Sequence, residues 1–196
     1  FGDLKNSVLE NNSARNGGAL YASSTTSDGS INSCNFTSNT ATDNGGAIYW
    51  NASAGHTNQS NFNKNHADDG GAIYVGEATV GGFITLSNFT ENTASTNGGA
   101  IDWNAPDGNL SESRFVNNSA QSGGAVSMDQ TAKSAYMSDL TFIENTATDY
   151  GGAILISDIE NVSIYYSKFD KNSADHAGAL YVGNSRDANI EHNNFT

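Results

Sequence analysis

The sequence predicts an all-β protein, a parallel β-helix of about seven rungs, each rung being one turn of 26–27 residues. Two motifs alternate along the chain, F-x-x-N-x-A and, after a short polar turn, G-G-A-[ILV]. Self-similarity at a fixed short period is typical of a solenoid, in which each repeat packs only on its neighbours. Charged residues make up only 15% while Gly, Asn and Ser are abundant, which disfavours a helical solenoid. The first motif begins at Leu9, Phe36, Phe62, Phe89, Phe115, Phe142 and Phe169, and again at Phe195.

The first predicted elements of each rung are two short strands separated by a bend. An apolar residue stands five positions before each Phe, and only Thr57 breaks this column. The position two before Phe is mostly Ser, with Cys34 as one exception, and its parity conflicts with that of the apolar column. Strict alternation cannot place both columns inside, so we predict a bend or bulge between them. The apolar column is Leu4, Ile31, Ile84, Leu110, Met137, Ile164 and Ile190.

The F-x-x-N-x-A motif predicts an internal aromatic stack followed by a corner. An Asn at one position of every copy can bond its side-chain amide to the next copy along the axis, and its tolerance of left-handed geometry allows a turn. The Ala two residues later is small enough for a tight inward corner. The predicted ladder is Asn12, Asn39, Asn65, Asn92, Asn118, Asn145 and Asn172.

The G-G-A-[ILV] motif predicts a strand. The second Gly, the aliphatic residue and the residue two further on, as in Gly46-Ile48-Trp50, share one face and point inward. The intervening outward column is Tyr21, Tyr49, Tyr74, Asp102, Ser127, Leu155 and Tyr181. Exposed aromatic rings beside polar groups can stack on sugars or anchor a protein partner. Tyr21, Tyr49, Tyr74 and Tyr181 are therefore the candidate ligand-binding residues, although ring stacking that only protects the strand is the favoured interpretation.

The spacing between the two motifs predicts a true period of two rungs. The gap from Phe to the following G-G alternates between 8 and 9 residues, and copies two apart match best. The linkers near 23–30, 76–83 and 129–136 are the longer ones, and we expect them to protrude on one side of the rod.

The composition of the chain limits the classes of partner that it can bind. With a net charge of −13 and eight Lys and Arg residues, the chain would repel nucleic acid and anionic membranes. No apolar stretch approaches the roughly 20 residues that cross a bilayer, so we expect no direct membrane insertion by this segment.

Counting seven residues from Phe gives an acidic column at Asp43, Asp69 and Asp149. Solvated turn acids are the favoured interpretation, followed by a weak calcium site near Asp68 and Asp69 and then by catalytic carboxylates. The four His share no metal-ligand spacing, and the single Cys34 cannot form an internal disulfide. We expect no metal centre, no other cofactor and no enzymatic activity.

Two further features suggest an exported rod. Neither terminus looks like a capping repeat, so residues 1–196 are expected to be a single β-helix segment of a longer surface protein. N-x-[ST] sequons would suit a secreted glycoprotein. They occur at Asn11, Asn35, Asn51, Asn58, Asn88, Asn109, Asn117, Asn161 and Asn194.

Tandem G-G-A-[ILV] and F-x-x-N motifs together resemble the repeats of the chlamydial polymorphic outer membrane proteins and of adhesin-like surface proteins of methanogenic archaea. The resemblance covers essentially the whole chain and departs at Leu9 and at Ala177-Gly178-Ala179. It implies a right-handed β-helix at the cell surface that mediates adhesion, and it transfers no catalytic residue.

The expected function is therefore an extracellular adhesin-like β-helix that displays a binding surface and acts as a rigid stalk for cell–cell or cell–host attachment. Its expected partners are glycans or proteins on host or neighbouring cells. The alternative is a structural subunit of a fibre or sheath that self-associates end to end, rung to rung. A polysaccharide lyase or hydrolase is a third hypothesis.

Overall fold

The computed structural model describes residues 2–25, 29–129 and 133–196, and it consists of four parallel β-sheets. The chain passes through sheets A, B, C and D in turn and then begins the next rung. Each strand pairs in parallel with the equivalent strands of the rungs before and after it. The described residues contain no helix. The predicted parallel β-helix of about seven rungs is confirmed.

Each rung contributes a short strand to each sheet, except that the seventh rung meets sheet C only through isolated bridges at Ser173 and His176. Sheet A contains Asp3–Lys5, Ser30–Asn32, His56–Asn58, Phe83–Thr85, Asp107–Ser111, Ser134–Ser138, Asn161–Tyr165 and Ala188–Glu191. Sheet B contains Val8–Glu10, Asn35–Thr37, Asn61–Asn63, Asn88–Thr90, Arg114–Val116, Thr141–Ile143, Lys168–Asp170 and Asn194–Phe195. Sheet C contains Ser13–Ala14, Thr40–Ala41, His66–Asp69, Thr93–Asn97, Ser119–Ser122 and Thr146–Tyr150. Sheet D contains Leu20–Ala22, Ile48–Trp50, Ile73–Val75, Ile101–Trp103, Val126–Asp129, Ile154–Ser157 and Leu180–Gly183.

The predicted bend between the first two strands is present and has a clear cause. One residue between sheets A and B adopts a left-handed conformation, for example Gln59 with φ 49°. This turn lets Thr57 and Ser60 both point inward, although their parity differs. Ser60 Oγ then donates to the Asn58 carbonyl at 2.9 Å and accepts from the Cys34 backbone N–H at 3.2 Å. The Ser column is thus an internal hydrogen-bonded corner, and Cys34 is buried within it as expected.

The Phe column forms the predicted aromatic stack. Consecutive rings from Phe36 to Phe195 lie 4.7–5.0 Å apart between centroids and are nearly parallel. The rings from Phe36 to Phe169 are at most 1% exposed. Each rung therefore buries its largest apolar group against the same group of the next rung.

The Asn ladder is confirmed, and its side chains use their full bonding capacity. Asn92 Nδ2 donates to Asn118 Oδ1 and to the Phe62 carbonyl, both at 3.0 Å. Its Oδ1 accepts from the backbone N–H and Nδ2 of Asn65 at 3.0 and 2.9 Å. The prediction that the ladder Asn itself makes the left-handed turn is wrong. The preceding residue does so, as Glu91 with φ 53° shows, because the ladder side chain must point inward to bond along the axis.

Sheet C occupies the segment that the sequence suggested was only a turn, and it contains an alternating β-bulge. Ala67 is buried, as expected for an inward corner, and pairs with Ala94. After this pair the register shifts, so that Asp69 pairs with Asn97. Similar shifts separate the next two pairs of strands. The extra residue of alternate copies is thus absorbed in sheet C, which explains the two-rung period.

The glycine pair joins sheets C and D. Gly98 adopts φ +60°, which only glycine accepts without strain. Gly99 lies so close to the next rung that a Cβ atom there would be 2.1 Å from the Gly124 carbonyl oxygen. The inward residues that follow, Ile101 and Trp103, are almost fully buried, as predicted.

The outward column of sheet D differs from the prediction at two positions. Asp102 is 5% exposed and Ser127 is 1% exposed, so neither is an outward display residue. Asn104 Nδ2 donates to the Asp102 carboxylate at 2.7 Å, which ties that side chain to the chain that follows the strand. Ser127 lies between Asp102 and Leu155 in the column, and its hydroxyl is buried.

The longer linkers follow sheet D at one corner of the rod. In the 76–83 linker Glu77, Ala78, Val80 and Gly81 are exposed, whereas Thr79 is buried. Its tip therefore faces solvent, as expected. For the linkers near 23–30 and 129–136, residues 26–28 and 130–132 lie outside the described residues.

Candidate functional site

Three of the four candidate tyrosines form one continuous group. Tyr21, Tyr49 and Tyr74 occupy the same register position on adjacent strands. Their ring centroids are 4.8 and 5.2 Å apart, with interplanar angles of 3° and 7°. Because the rings are parallel and in register, their hydroxyls form a row along the helix axis. We call these three residues the tyrosine row.

The fourth candidate, Tyr181, belongs elsewhere. Four strand spacings of about 4.8 Å separate it from Tyr74, a distance of about 19 Å. Its ring packs against Tyr150 at 4.9 Å with a tilt of 58°. The structure therefore does not bring Tyr181 into the tyrosine row.

An open groove of about 550 Å³ lies beside the tyrosine row. Its size is in the range of ligand pockets, and its lining combines aromatic rings with a hydroxyl, an amide and a carboxylate. The lining residues are Ser24, Tyr49, Asn51, Tyr74, Gly76, Glu77 and Ala78. We call it the tyrosine groove.

The floor of the tyrosine groove is fixed by hydrogen bonds. Asn51 Oδ1 accepts from the Ala78 backbone N–H at 3.0 Å, and the Gly76 N–H donates to the Trp50 carbonyl at 2.7 Å. Thr79 closes the turn by donating from its backbone N–H to the Gly76 carbonyl at 3.0 Å. A Cβ atom at Gly76 would lie 2.5 Å from Asn51 Oδ1, so a larger residue there would displace the Asn51 side chain. The groove is preorganised rather than formed by a free loop.

The tyrosine groove has a negative electrostatic character. Burial raises the pKa of Tyr74 above its ordinary value, and the nearby negative charge of Asp102 raises it further. Burial also raises the pKa of Tyr49, with a contribution from Glu77. Both phenols are therefore neutral hydrogen-bond donors at physiological pH. None of the residues lining the groove is a cation.

The geometry changes how the tyrosines could contact a ligand. Tyr49 lies between the rings of Tyr21 and Tyr74, so both of its faces are covered. Tyr74 is followed in register by Asp102 on the next strand. Tyr49 and Tyr74 therefore present mainly ring edges and hydroxyls. Hydrogen bonding, with little stacking, is what this surface offers.

Sequence reasoning missed Ser24, Asn51 and Glu77 because they follow the strand and belong to no repeated column. One signal was present for Asn51. The segment Trp50-Asn51-Ala52 recurs as Trp103-Asn104-Ala105 two rungs later. The Asn of each segment stands two positions after the outward residue of its own strand, and Asn104 indeed bonds to Asp102.

The predicted acidic column does not exist as a column. Because of the bulge, Asp69 pairs with Asn44 and Asn97 in register, and not with Asp43. Asp43 accepts from Arg15 at 2.6 Å, and Asp149 accepts from Gln121 Nε2 at 2.8 Å. The acids are thus dispersed, each with its own partner.

The potential metal ligands are dispersed in the same way. Across residues 2–25, 29–129 and 133–196, no group of three His, Cys, Asp or Glu side chains is placed to share an ion. The weak calcium site near Asp68 and Asp69 stays a prediction.

Replacing Asp69 by asparagine is expected to stabilise the protein at neutral pH. Burial raises the pKa of Asp69, against the opposing effect of hydrogen bonds from Asn97 at 3.1 Å. A carboxyl whose pKa is raised on folding favours the folded state while it is protonated, and this contribution is lost as the pH rises through the folded pKa. The new amide would keep an acceptor for Asn97 without a charge. Thermal unfolding at pH 7 should show a melting temperature higher by a few degrees.

The gain should shrink as the pH falls below the ordinary Asp pKa of 3.8, where the wild-type carboxyl is protonated. Asp68→Asn is the matched control, since Asp68 is exposed and its neutralisation should change the melting temperature little. Equal gains in the two variants, or a gain independent of pH, would contradict this account of Asp69.

Together, the stacked ladders and the groove on one corner define a β-helical repeat protein with a solvent-facing groove. Five segments of the chain match the model of the Chlamydia polymorphic membrane protein repeat. The matched residues are 6–23, 33–49, 59–76, 87–102 and 139–157. Neither the curated proteins nor the solved structures contain a match to the chain. The likeness to archaeal surface proteins stays an expectation.

The matched segments are themselves informative about the site. They contain the whole tyrosine row and also Gly76, but not Glu77 or Ala78 at the tip of the linker. The groove thus combines residues inside the matched segments with residues outside them. No helix among the described residues combines the length and the hydropathy of a membrane span.

Proposed function

We propose that this chain is an extracellular, adhesin-like β-helix that displays a binding surface and acts as a rigid stalk for attachment between cells. The observation that carries the proposal is the separation of roles across each rung. Inward columns such as Phe, Asn and the second Gly are nearly uniform, whereas the exposed residue before Phe in sheet B changes from Asn88 to Arg114 to Lys168. A uniform scaffold with a varied exterior suits recognition.

The internal ladders support the role of a stalk. Parallel strands join every rung to the next, and the buried Asn and Phe columns continue through the rod. In such a solenoid each rung stabilises its neighbours, so stiffness extends along the axis. A surface fixed to this scaffold loses little conformational freedom when it binds.

The net negative charge of the chain limits the classes of partner that it can bind. The chain carries −13, and described cations such as Lys64 and Lys171 are close to acids, Glu91 at 3.6 Å and Glu144 at 3.9 Å. An acidic exterior disfavours polyanions, including nucleic acid and anionic membranes. Neutral glycans and proteins on other cells are the partners that this surface tolerates best. Repeats of a family named for membrane proteins support display at a cell surface.

The proposal is tested by adhesion. Beads coated with the purified chain should adhere to candidate host or neighbouring cells, and an excess of soluble chain should displace them. Beads coated with heat-unfolded chain are the control, because display requires the folded rod. Absence of adhesion to every cell type and surface extract tested would overturn the proposal.

The same preparation separates the alternatives. Electron microscopy and light scattering should show single rods; filaments whose rungs continue across subunits would favour the structural fibre. The hydrolase or lyase hypothesis requires cleavage of neutral or acidic polysaccharides that disappears in Asp68→Asn combined with Asp69→Asn. Among the described side chains, no group comparable to the tyrosine groove is arranged for fibre assembly or for polysaccharide cleavage.

A further inference from the structure

We propose that the tyrosine groove binds a neutral glycan that lies along the helix axis, with its hydroxyls bonded to the tyrosine row. This inference rests on the proposed adhesive function and names the ligand class of its surface. It starts from the unused hydrogen-bonding groups of the groove. Among the described residues, the hydroxyls of Tyr49 and Tyr74, Asn51 Nδ2 and the Glu77 carboxylate have no partner within hydrogen-bond distance.

The mixture of these groups points to a ligand with many hydroxyls. The phenols and Asn51 Nδ2 donate, whereas the Glu77 carboxylate accepts. A sugar hydroxyl is both a donor and an acceptor, so one ligand chemistry satisfies the whole set. An apolar ligand would bury these polar groups without partners, which is costly.

Electrostatics selects against acidic sugars. Glu77 lies on the rim, Asp102 follows Tyr74 on the next strand, and no cation lines the groove. A carboxylated or sulfated sugar would bring a second negative charge to this site and find no counterion. The ligand is therefore a neutral glycan.

The axial spacing gives the direction of the chain. The tyrosine rings repeat at 4.8 and 5.2 Å, the spacing of successive rungs. An extended chain of pyranose rings offers hydroxyls at a comparable repeat, so successive sugars can each meet one rung. Because the ring faces of Tyr49 are covered, recognition depends on the hydroxyls rather than on stacking.

The critical variant is Tyr49→Phe combined with Tyr74→Phe, which removes two hydroxyls but keeps the stacked rings. Neutral hexasaccharides of β-1,4-linked glucose and N-acetylglucosamine, titrated by calorimetry, should bind wild type. The double variant should weaken binding by about tenfold or more, since two hydrogen bonds are lost. Tyr181→Phe, in the same column but outside the groove, should bind as wild type. Equal melting temperatures verify that the variants are folded.

Three results would overturn the proposal. They are the absence of binding by any neutral hexasaccharide, undiminished binding in the double variant, and binding of sulfated hexasaccharides as tight as that of neutral ones. Tighter binding of an arginine-rich peptide that the double variant abolishes would assign the groove to a cationic partner instead.

The adhesion assay separates this proposal from the one on which it rests. Wild-type beads that adhere while no neutral sugar binds would retain the adhesin and reject the glycan site. Sugar binding without adhesion would retain the glycan site and reject the adhesin. Removing protein-linked glycans from the target cells by enzyme treatment distinguishes glycoprotein glycans from a polysaccharide coat as the source.

Discussion

Gly99→Ala is expected to destabilise the β-helix by more than about 4 kcal/mol, enough to unfold many domains of this size. The new Cβ would lie 2.1 Å from the Gly124 carbonyl oxygen and 2.6 Å from the Ser119 carbonyl oxygen. Both oxygens belong to backbone that is bonded to adjacent rungs, since the Gly124 N–H donates to the Gly151 carbonyl and the Ser119 N–H to the Asn92 carbonyl, each at 3.0 Å. Neither residue can therefore move alone. Urea unfolding followed by circular dichroism measures the loss.

Gly81→Ala provides the matched control. Gly81 has a left-handed conformation, with φ +69°, which Gly99 does not have, and no atom lies within 4 Å of a Cβ built at Gly81. Its substitution should cost only about 1–2 kcal/mol from the left-handed strain. Similar losses for the two variants would show that the contact between rungs is not what makes glycine necessary at position 99.

Asn92→Ala is the second substitution with a large expected effect, a loss of about 4 kcal/mol or more. It removes a buried amide that bonds to Phe62 and Asn118 and accepts two hydrogen bonds from Asn65. The groups left without partners are buried, and each unsatisfied one costs about 1–3 kcal/mol. Equilibrium unfolding of the variant beside wild type gives the difference directly.

Two companion variants show which part of the amide matters. Asn92→Asp keeps the acceptor for Asn65 but faces the Phe62 carbonyl with an oxygen instead of a donor, so it should also be strongly destabilising at neutral pH. Asn61→Ala interrupts the exposed ladder in which Asn61 bonds to Asn35 and Asn88, and should cost less than about 0.5 kcal/mol. A small loss for Asn92→Ala would mean that the internal ladder is not a major source of stability.

The core was predictable because the repeats act as an internal alignment. Phe62 and Phe89 occupy the same environment one rung apart, so the same residue solves the same packing problem in each copy. The same holds for Asn92 and for the Gly98-Gly99 pair. Burial and axial bonding are properties of a column, and a column is visible in the sequence.

Sheet C and its bulge were harder to predict. Strand residues such as Thr40 and Ser119 are small and polar, which is also typical of turns, and their strands are stabilised by the rungs on either side. The spacing revealed the extra residue, but counting from Phe placed Asp69 beside Asp43. Counting back from the Gly pair gives the true neighbours, Asn44 and Asn97.

The site was only partly predictable for a related reason. The column identified Tyr21, Tyr49 and Tyr74, and the repeats therefore located the surface. Its other groups, such as Glu77, come from a linker that is not repeated, so no column marks them. Tyr181 shares the column but lies too far along the rod to join, because three other side chains intervene.

Because of the alternating bulge in sheet C, the unit that can be added to the rod without a mismatch is a pair of rungs. After a duplication of residues 36–88, copies with a 9-residue gap between the two motifs would still alternate with copies with an 8-residue gap, as they do in the present chain. The rod would be longer by about 9.6 Å, and every inserted Phe, Asn and Gly would contact the equivalent residue of an adjacent rung. A gain of one rung would instead place two copies of equal length together. An insertion of two rungs would therefore lengthen the rod and keep its internal ladders continuous.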